Sequence, residues 1–237
     1  MELKDQVVMV TGANGGIGSA LVQAFLEAGV KKVYAGARNK ESLSAVLGDQ
    51  RVQPVEIDVT NPSSVAAAAD AYKDVTILVN NAGKNQGGLL GNQDAARAEM
   101  EVNYFGTHAM CSQFAPVLGA NGGGCIVNII SLLAFVSMPS IGTYSASKAA
   151  LHSLTQGIRG ALARQGTRVI GVYPGPVATR MTEGLQMPMA TPQGVAQEII
   201  AGLIANAEEI FPDEMSKGVS QGLVADAKGV ERQFASY

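Results

Sequence analysis

Val7-Val8-Met9-Val10-Thr11-Gly12-Ala13-Asn14-Gly15-Gly16-Ile17-Gly18 decides how the rest of this chain is read. An apolar β-branched run ends in a glycine loop, and a helical pattern begins inside the glycines. Gly12, Gly16 and Gly18 allow a tight turn, and without Cβ atoms they let a pyrophosphate approach the backbone. The phosphate then lies at the positive end of the helix. Asn14, Gly15 and Ile17 complete the loop. The spacing is not Gly-x-Gly-x-x-Gly, so the reading rests on the strand before and the helix after.

The same alternation continues outward. Strands are predicted at Gln6–Thr11, Lys32–Ala37, Val52–Ile57, Val75–Val79, Gly124–Ile130, Arg168–Tyr173 and Glu209–Phe211. Helices are predicted near Ile17–Ala28, Lys40–Leu47, Pro62–Tyr72, Gln93–Val117, Thr143–Arg164 and Pro192–Asn206. Asn61-Pro62 and Thr191-Pro192 each give an N-cap followed by Pro at the first helical position. The strands are apolar throughout, as strands buried on both faces of a parallel sheet are. The pattern predicts a doubly wound α/β fold of about seven parallel strands, with helices on both faces. One domain spans residues 1–237, with a Met-rich loop around 179–190 over a site. The tail, 212–237, reads as a surface helix or packing arm.

The second strand should meet the adenosine ribose. An NAD binder usually places Asp or Glu about 20 residues after the glycines. Here Ala35-Gly36-Ala37-Arg38-Asn39-Lys40 holds no acid before Glu41. Arg38 offers a fork for a 2′-phosphate, so NADP (NADPH) is expected rather than NAD.

Tyr144 and Lys148 stand one helical turn apart on the same face, with Ser131 upstream. A phenol titrates near 10 and is a poor acid–base group at neutral pH unless its anion is stabilised. A nearby ammonium does that by charge, and a hydroxyl can hold a carbonyl or alcohol oxygen against the phenol. Taken alone, the pair is also what a solvated helical face looks like.

Composition narrows the options. The chain has 237 residues, 16% charged and 47% hydrophobic, with 28 glycines, enough for one large core. A net charge of −3 argues against a nucleic-acid binder. Cys111 and Cys125 lack metal or disulfide spacing and read as packing residues. His108 and His152 leave little material for a metal site, and none is expected. Val7–Val10 is too short for a signal-peptide core and nothing later approaches a membrane span, so a cytoplasmic location is expected.

With these residues in place the chain resembles the short-chain dehydrogenase/reductase family. The resemblance runs through Thr11–Gly18, Asp58-Val59, Asn80-Asn81-Ala82-Gly83, Asn103, Ser131, Tyr144/Lys148 and Pro174-Gly175, in family order and spacing. It implies a single-domain Rossmann fold and roles for each matching residue. Asp58 and Val59 would contact the adenine, and Asn80, Asn81, Ala82 and Gly83 would stabilise the sheet and border the cofactor. Ser131 would orient the substrate oxygen, with Tyr144 the acid in reduction and base in oxidation. Lys148 would bind the nicotinamide ribose and, with the oxidised nicotinamide, depress the phenol's pKa. Asn103 would hold a water behind Lys148. Pro174, Gly175 and Val177 would flank the nicotinamide, with Thr179 near its carboxamide or the phosphates. A homodimer or homotetramer packed through the Gln93–Val117 and Thr143–Arg164 helices is implied too. Three departures stand out: Ile in Asn128-Ile129-Ile130-Ser131 where many members carry a first Ser, Gly15 where many NADP-preferring members are basic, and a C-terminal part unlike the Gly-rich last strand of many tetramers.

Leu133, Phe135, Tyr173 and Met181 are candidate walls of an apolar substrate pocket, together with Ser131 and Tyr144. The leading expectation is NADP-dependent interconversion of a hydrophobic ketone or aldehyde with its alcohol. An NAD-dependent alcohol dehydrogenase, an elimination or isomerisation enzyme and a non-catalytic dinucleotide sensor remain as alternatives.

Overall fold

The computed structural model describes residues 1–90 and 92–237. Seven strands form one parallel sheet. They are β1 (Val7–Thr11), β2 (Lys32–Ala37), β3 (Val52–Glu56), β4 (Ile77–Asn80), β5 (Cys125–Ile129), β6 (Arg168–Val172) and β7 (Glu209–Ile210). Their spatial order is β3-β2-β1-β4-β5-β6-β7. Strand order reverses between β1 and β4, which opens a crevice at their carboxyl ends.

The helices are α1 (Gly16–Glu27), α2 (Pro62–Ala71), α3 (Gln93–Met100), α4 (Thr107–Ala120), α5 (Gly142–Leu162), α6 (Pro192–Ile204) and α7 (Glu214–Phe234). Successive strand residues point to opposite faces. Val8 and Val10 join Leu21 and Phe25 of α1 and Val195, Ile199 and Leu203 of α6 in one core. Val7 and Met9 join Val65 of α2 and Met110, Phe114 and Leu118 of α4 in the other. Both Pro-led helices are capped as their sequences imply. Asn61 Oδ1 accepts from the Ser63 and Ser64 amides, and Thr191 Oγ1 from the Gly194 amide.

Three expectations needed correction. Residues Lys40–Val46 form a 3₁₀ helix instead of an α-helix, with Leu43 its single buried residue; one apolar contact gives no stripe to seat a longer helix. The strand β3 is not apolar throughout, because it is the sheet edge and Gln53 and Glu56 face solvent. The predicted helix over Gln93–Val117 is interrupted by a π-helical stretch at Glu101–Gly106. There Gly106 lies so close to Val59 that a Cβ would stand 2.8 Å from Val59 Cγ2.

Candidate active site

The glycine loop is shaped by backbone conformation and by the strand beside it. Gly12 and Gly16 have φ of +64° and +54°, a region that L side chains rarely adopt. Asn81 Nδ2 donates to the Thr11 and Gly12 carbonyls, both at 3.0 Å. Thr11 Oγ1 accepts from the Asn81 and Ala82 amides and donates to the Val79 carbonyl. β1 and β4 are thereby laced together at their carboxyl ends. A Cβ on Gly12 would stand 3.0 Å from Ala82 Cα, and one on Gly18 would run into the Gly12 carbonyl. Asn14 is exposed, while Ile17 packs on the core below. The first turn of α1 has no side-chain cap and no acidic residue. A bare, uncapped helix start fits a dinucleotide pyrophosphate.

At the adenosine end, Arg38 is exposed just past β2. The Asp58 carboxylate accepts from Thr60 Oγ1 at 2.7 Å and the Thr60 amide at 2.9 Å. Its pKa is lowered, first by the Thr60 hydroxyl and also by the charge of Arg38. Val59 is buried against Gly106. Asn80 turns into the sheet: its Nδ2 donates to Asn128 Oδ1 at 2.9 Å and to Cys111 Sγ at 3.3 Å. Cys111 and Cys125 are both free and buried, and burial pushes each thiol up to about 12.

Ser131, Tyr144 and Lys148 converge across the end of β5. Ser131 Oγ accepts from the Leu133 amide at 3.1 Å and lies 3.5 Å from the Pro174 carbonyl. Lys148 is 4% exposed, and its Nζ donates to the Ile129 carbonyl at 3.0 Å. Nζ lies 5.6 Å from the Tyr144 ring centroid. A Cβ on Gly83 would stand 3.4 Å from Asn103 Oδ1 and 3.7 Å from Lys148 Nζ, so all three surround one point. Asn103 is wholly buried in the π-helical stretch. Its amide holds the Lys84 backbone by two hydrogen bonds and donates to Ser147 Oγ at 2.8 Å. Beside it, Glu99 Oε1 accepts from the Gln86 amide at 2.7 Å, and Oε2 has no partner among the described residues.

The depressed phenol pKa expected of the Tyr144–Lys148 pair is not a property of the chain by itself. Burial raises the Tyr144 phenol, the Ser131 hydroxyl partly offsets this and the charge of Glu99 adds to it, leaving the phenol at about 12. Burial also brings the Lys148 ammonium down to about 8, because the buried site disfavours its charged form. Below pH 8 the folded chain holds this cation at a cost that the unfolded chain does not bear. Between pH 8 and about 10.5 the unfolded chain binds the extra proton, so this group makes stability rise with pH. Lys148→Met is therefore expected to be at least as stable as wild type at pH 7. Its margin should shrink between pH 8 and 10.5, read by urea unfolding across that range; a margin that stays flat would remove the buried cation.

The substrate side differs most from expectation. Tyr173 is 0% exposed and is corrected from pocket wall to core. Its hydroxyl pairs with His152 Nδ1 at 2.9 Å, and its ring stacks on Phe211 with centroids 5.1 Å apart. Phe135 packs into the same aromatic group, with its centroid 4.8 Å from that of Tyr173. A buried hydroxyl needs a partner, and His152 supplies it. Leu133 belongs to the buried cluster with Leu132 and Val136 against which Met138, Ile141 and Tyr144 pack. Met181 is exposed on the loop, and Val177 is buried at its base, where it bridges to Ala190.

The tail completes that cluster. Met215, Val219, Leu223, Val230 and Phe234, all on α7, pack with Leu133 and Tyr144. The helix kinks at Asp226 (φ −153°, ψ 80°), whose Oδ1 accepts from the Gly229 amide and so caps a second helical piece. Gly222 lets Val230 fold back onto the first piece; a Cβ there would stand 2.9 Å from Val230 Cγ2. Asp213 caps α7 through the Ser216 amide at 2.9 Å, and its other oxygen accepts from the Gly175 amide at 2.7 Å. Pro174 is buried and Gly175 half-buried at this junction. None of these tail residues was among the sequence-predicted site residues. Their signal was present: Met215, Val219 and Leu223 recur every four residues after an Asp-x-x-Ser cap.

No helix of the described residues is long and apolar enough to cross a membrane, and no group of His, Cys, Asp and Glu among them is placed to hold a metal. The family model for short chain dehydrogenases matches residues 6–189. An uncharacterized oxidoreductase of Staphylococcus aureus (strain USA300) is 33% identical over 213 residues, covering 85% of this chain and 92% of its own. A probable galactose dehydrogenase of Rhizobium meliloti (strain 1021) is 33% identical over 189 residues, covering 75% and 74%. The crystal structure of a short chain dehydrogenase from Burkholderia cenocepacia J2315 in complex with NADP is 45% identical, with TM-score 0.94 and 99% of each chain covered. The glycine cradle between β1 and β4 and the Ser131–Tyr144–Lys148 group lie within the matched span, and the chain belongs to the short chain dehydrogenase family.

Proposed function

We propose that this chain is an NADP(H)-dependent oxidoreductase that interconverts a hydrophobic ketone or aldehyde with the corresponding alcohol. One observation carries the reading: Tyr144 shares a cluster with apolar Leu133, Val136, Met138, Met215 and Val219, while Ser131 and Lys148 flank it on the polar side. The likeness to the NADP-bound Burkholderia cenocepacia protein and the exposed Arg38 support NADP as the cofactor.

The bound nicotinamide supplies or accepts the hydride. The chain's own residues then have to place an oxygen and move one proton. Ser131 Oγ holds the substrate oxygen against the Tyr144 hydroxyl. In reduction, Tyr144 donates its proton to that oxygen; in oxidation, it takes the proton from the alcohol. Lys148 contributes positive charge one turn away, and Asn103 fixes the Lys84 backbone behind it. Leu133, Met215 and Val219 exclude water and seat the apolar part of the substrate.

The apolar wall favours this substrate class over a sugar, the class named for the Rhizobium meliloti relative. NADPH oxidation with a panel of aromatic and aliphatic ketones, aldehydes, aldoses and acyl thioesters tests the assignment. Turnover of the hydrophobic carbonyls is expected. Turnover restricted to aldoses, charged substrates or thioesters would overturn it. We also infer a homodimer or homotetramer. Phe105 is 52% exposed next to α4, and Gly157 and Gly160 on α5 have open space before them. Sedimentation equilibrium reads that assembly; a monomer at micromolar concentration would rule it out. The two free, buried thiols suit a reducing cytoplasmic compartment.

A further inference from the structure

The start of α1 is covered from outside by a part of the chain far from it in sequence. Thr179 Cγ2 lies 3.0 Å from where a Cβ on Gly16 would stand. Arg180 Nη2 lies 3.6 Å from the corresponding point on Gly15. Arg180 opens a short 3₁₀ turn, Arg180–Thr182, held by a reciprocal cap. The Thr179 amide donates to Thr182 Oγ1 at 3.1 Å, and that hydroxyl also bonds the Val177 carbonyl. Paired Ala178–Ala190 and Ala190–Pro176 backbone bonds, both 2.9 Å, close the base of the loop. Backbone geometry therefore fixes where Arg180 leaves the loop, while its side chain is exposed and makes no ion pair among the described residues.

An unpaired guanidinium above bare glycines faces the uncapped amides of a helix start. Both are positive, and a pyrophosphate between them would satisfy both. Arg38 sits at the end of a different strand, β2, where the adenosine ribose is bound in this class of fold. The two cations therefore serve different phosphates.

We propose that Arg180 is a pyrophosphate clamp. It holds the dinucleotide from the side opposite the α1 N-terminus and, in doing so, pins the 179–189 loop over the site. The cofactor thus sets the position of the loop that borders the substrate. The inference rests on the NADP reading above.

Calorimetric titration of the cofactor-free protein with NADPH, NADH and ADP tests it, using Arg180→Met and Arg38→Met beside wild type. Arg180→Met keeps the apolar stem of an exposed residue, and a thermal melt checks that it folds. It is expected to weaken all three ligands by a similar factor, roughly 10–100-fold. Arg38→Met should weaken NADPH alone. In limited proteolysis, NADPH should protect the 179–189 loop of wild type and not that of Arg180→Met. Unchanged affinities in Arg180→Met overturn the clamp. A loss confined to NADPH also overturns it, because the residue would then read the 2′-phosphate. A wild type that binds no dinucleotide defeats the NADP reading itself, an outcome distinct from either of these.

Discussion

Tyr144→Phe is expected to lower kcat by about 10³-fold, within the range typical of losing a positioned proton donor. NADPH affinity should stay within a factor of about three of wild type. The ring keeps its place in the apolar cluster that holds Leu133 and the α7 side chains, and only the hydroxyl is lost. That hydroxyl is the one group in the apolar cluster with a proton to exchange at the substrate oxygen. Ser131 cannot do both jobs: its hydroxyl, steadied by the Leu133 amide, is the group that holds the substrate oxygen. The chain alone pushes the phenol up to about 12, so at neutral pH Tyr144 is protonated and ready to donate. Reduction should therefore proceed at pH 7, whereas oxidation needs the phenolate and should accelerate as pH rises. Single-turnover measurements of wild type and variant in both directions, from pH 6 to 10, check this. Retention of more than a tenth of the wild-type kcat in Tyr144→Phe would assign the proton to another group.

Gly18→Ala is expected to affect both stability and cofactor binding. The added methyl would run into the Gly12 carbonyl and stand 2.6 Å from Asn81 Nδ2, and Gly12 sits at positive φ with Ala82 behind it. No flexible side chain end can yield, so the loop backbone has to move. Overpacking of this kind costs about 1–3 kcal/mol, which lowers Tm by roughly 3–10 °C for a chain of this size. NADPH should raise the melting temperature of wild type and leave that of the variant nearly unchanged, because a displaced loop no longer cradles the pyrophosphate. A variant that melts and binds like wild type would mean that the Gly12–Gly18 approach is not needed.

The two predictions draw on parts of the chain that were readable from sequence to different degrees. The glycine loop was legible because strand, turn and helix signals are all local, and each requires its own residue types. Tyr144 and Lys148 were legible as a pair because helical spacing places them on one face. The sign of the phenol's pKa was not, since it depends on how much protein surrounds it and on Glu99, brought in from α3. Tyr173 was misplaced because an aromatic residue ending a strand can face a cleft or a core. Only the ring group of Phe135, His152 and Phe211 decides between them. The sequence reads Asn80 and Asn81 as one unit, but Asn81 laces the loop while Asn80 turns to Asn128. Adjacent strand residues point to opposite faces, and nothing local in two consecutive asparagines says which faces where. The π-helical stretch escaped because Glu101–Gly106 carries no helix-breaking residue apart from Gly106. Its cause is tertiary: the close approach of Val59 and the ties from Asn103 to Lys84.

The Asp213 bridge between α7 and Gly175 has a consequence for the order in which the molecule is finished. Synthesis runs from the N-terminus, so every strand of the sheet and all of Ser131, Tyr144 and Lys148 leave the ribosome before α7 does. Until then Leu132, Leu133 and Val136 lie bare and the Gly175 amide lacks its carboxylate. A nascent sheet with its cofactor cradle already formed would thus still expose a sticky floor, and α7 seals it when Asp213 finds Gly175. Dinucleotide can arrive at such an intermediate, but the apolar cluster around Tyr144 is complete only once α7 has docked.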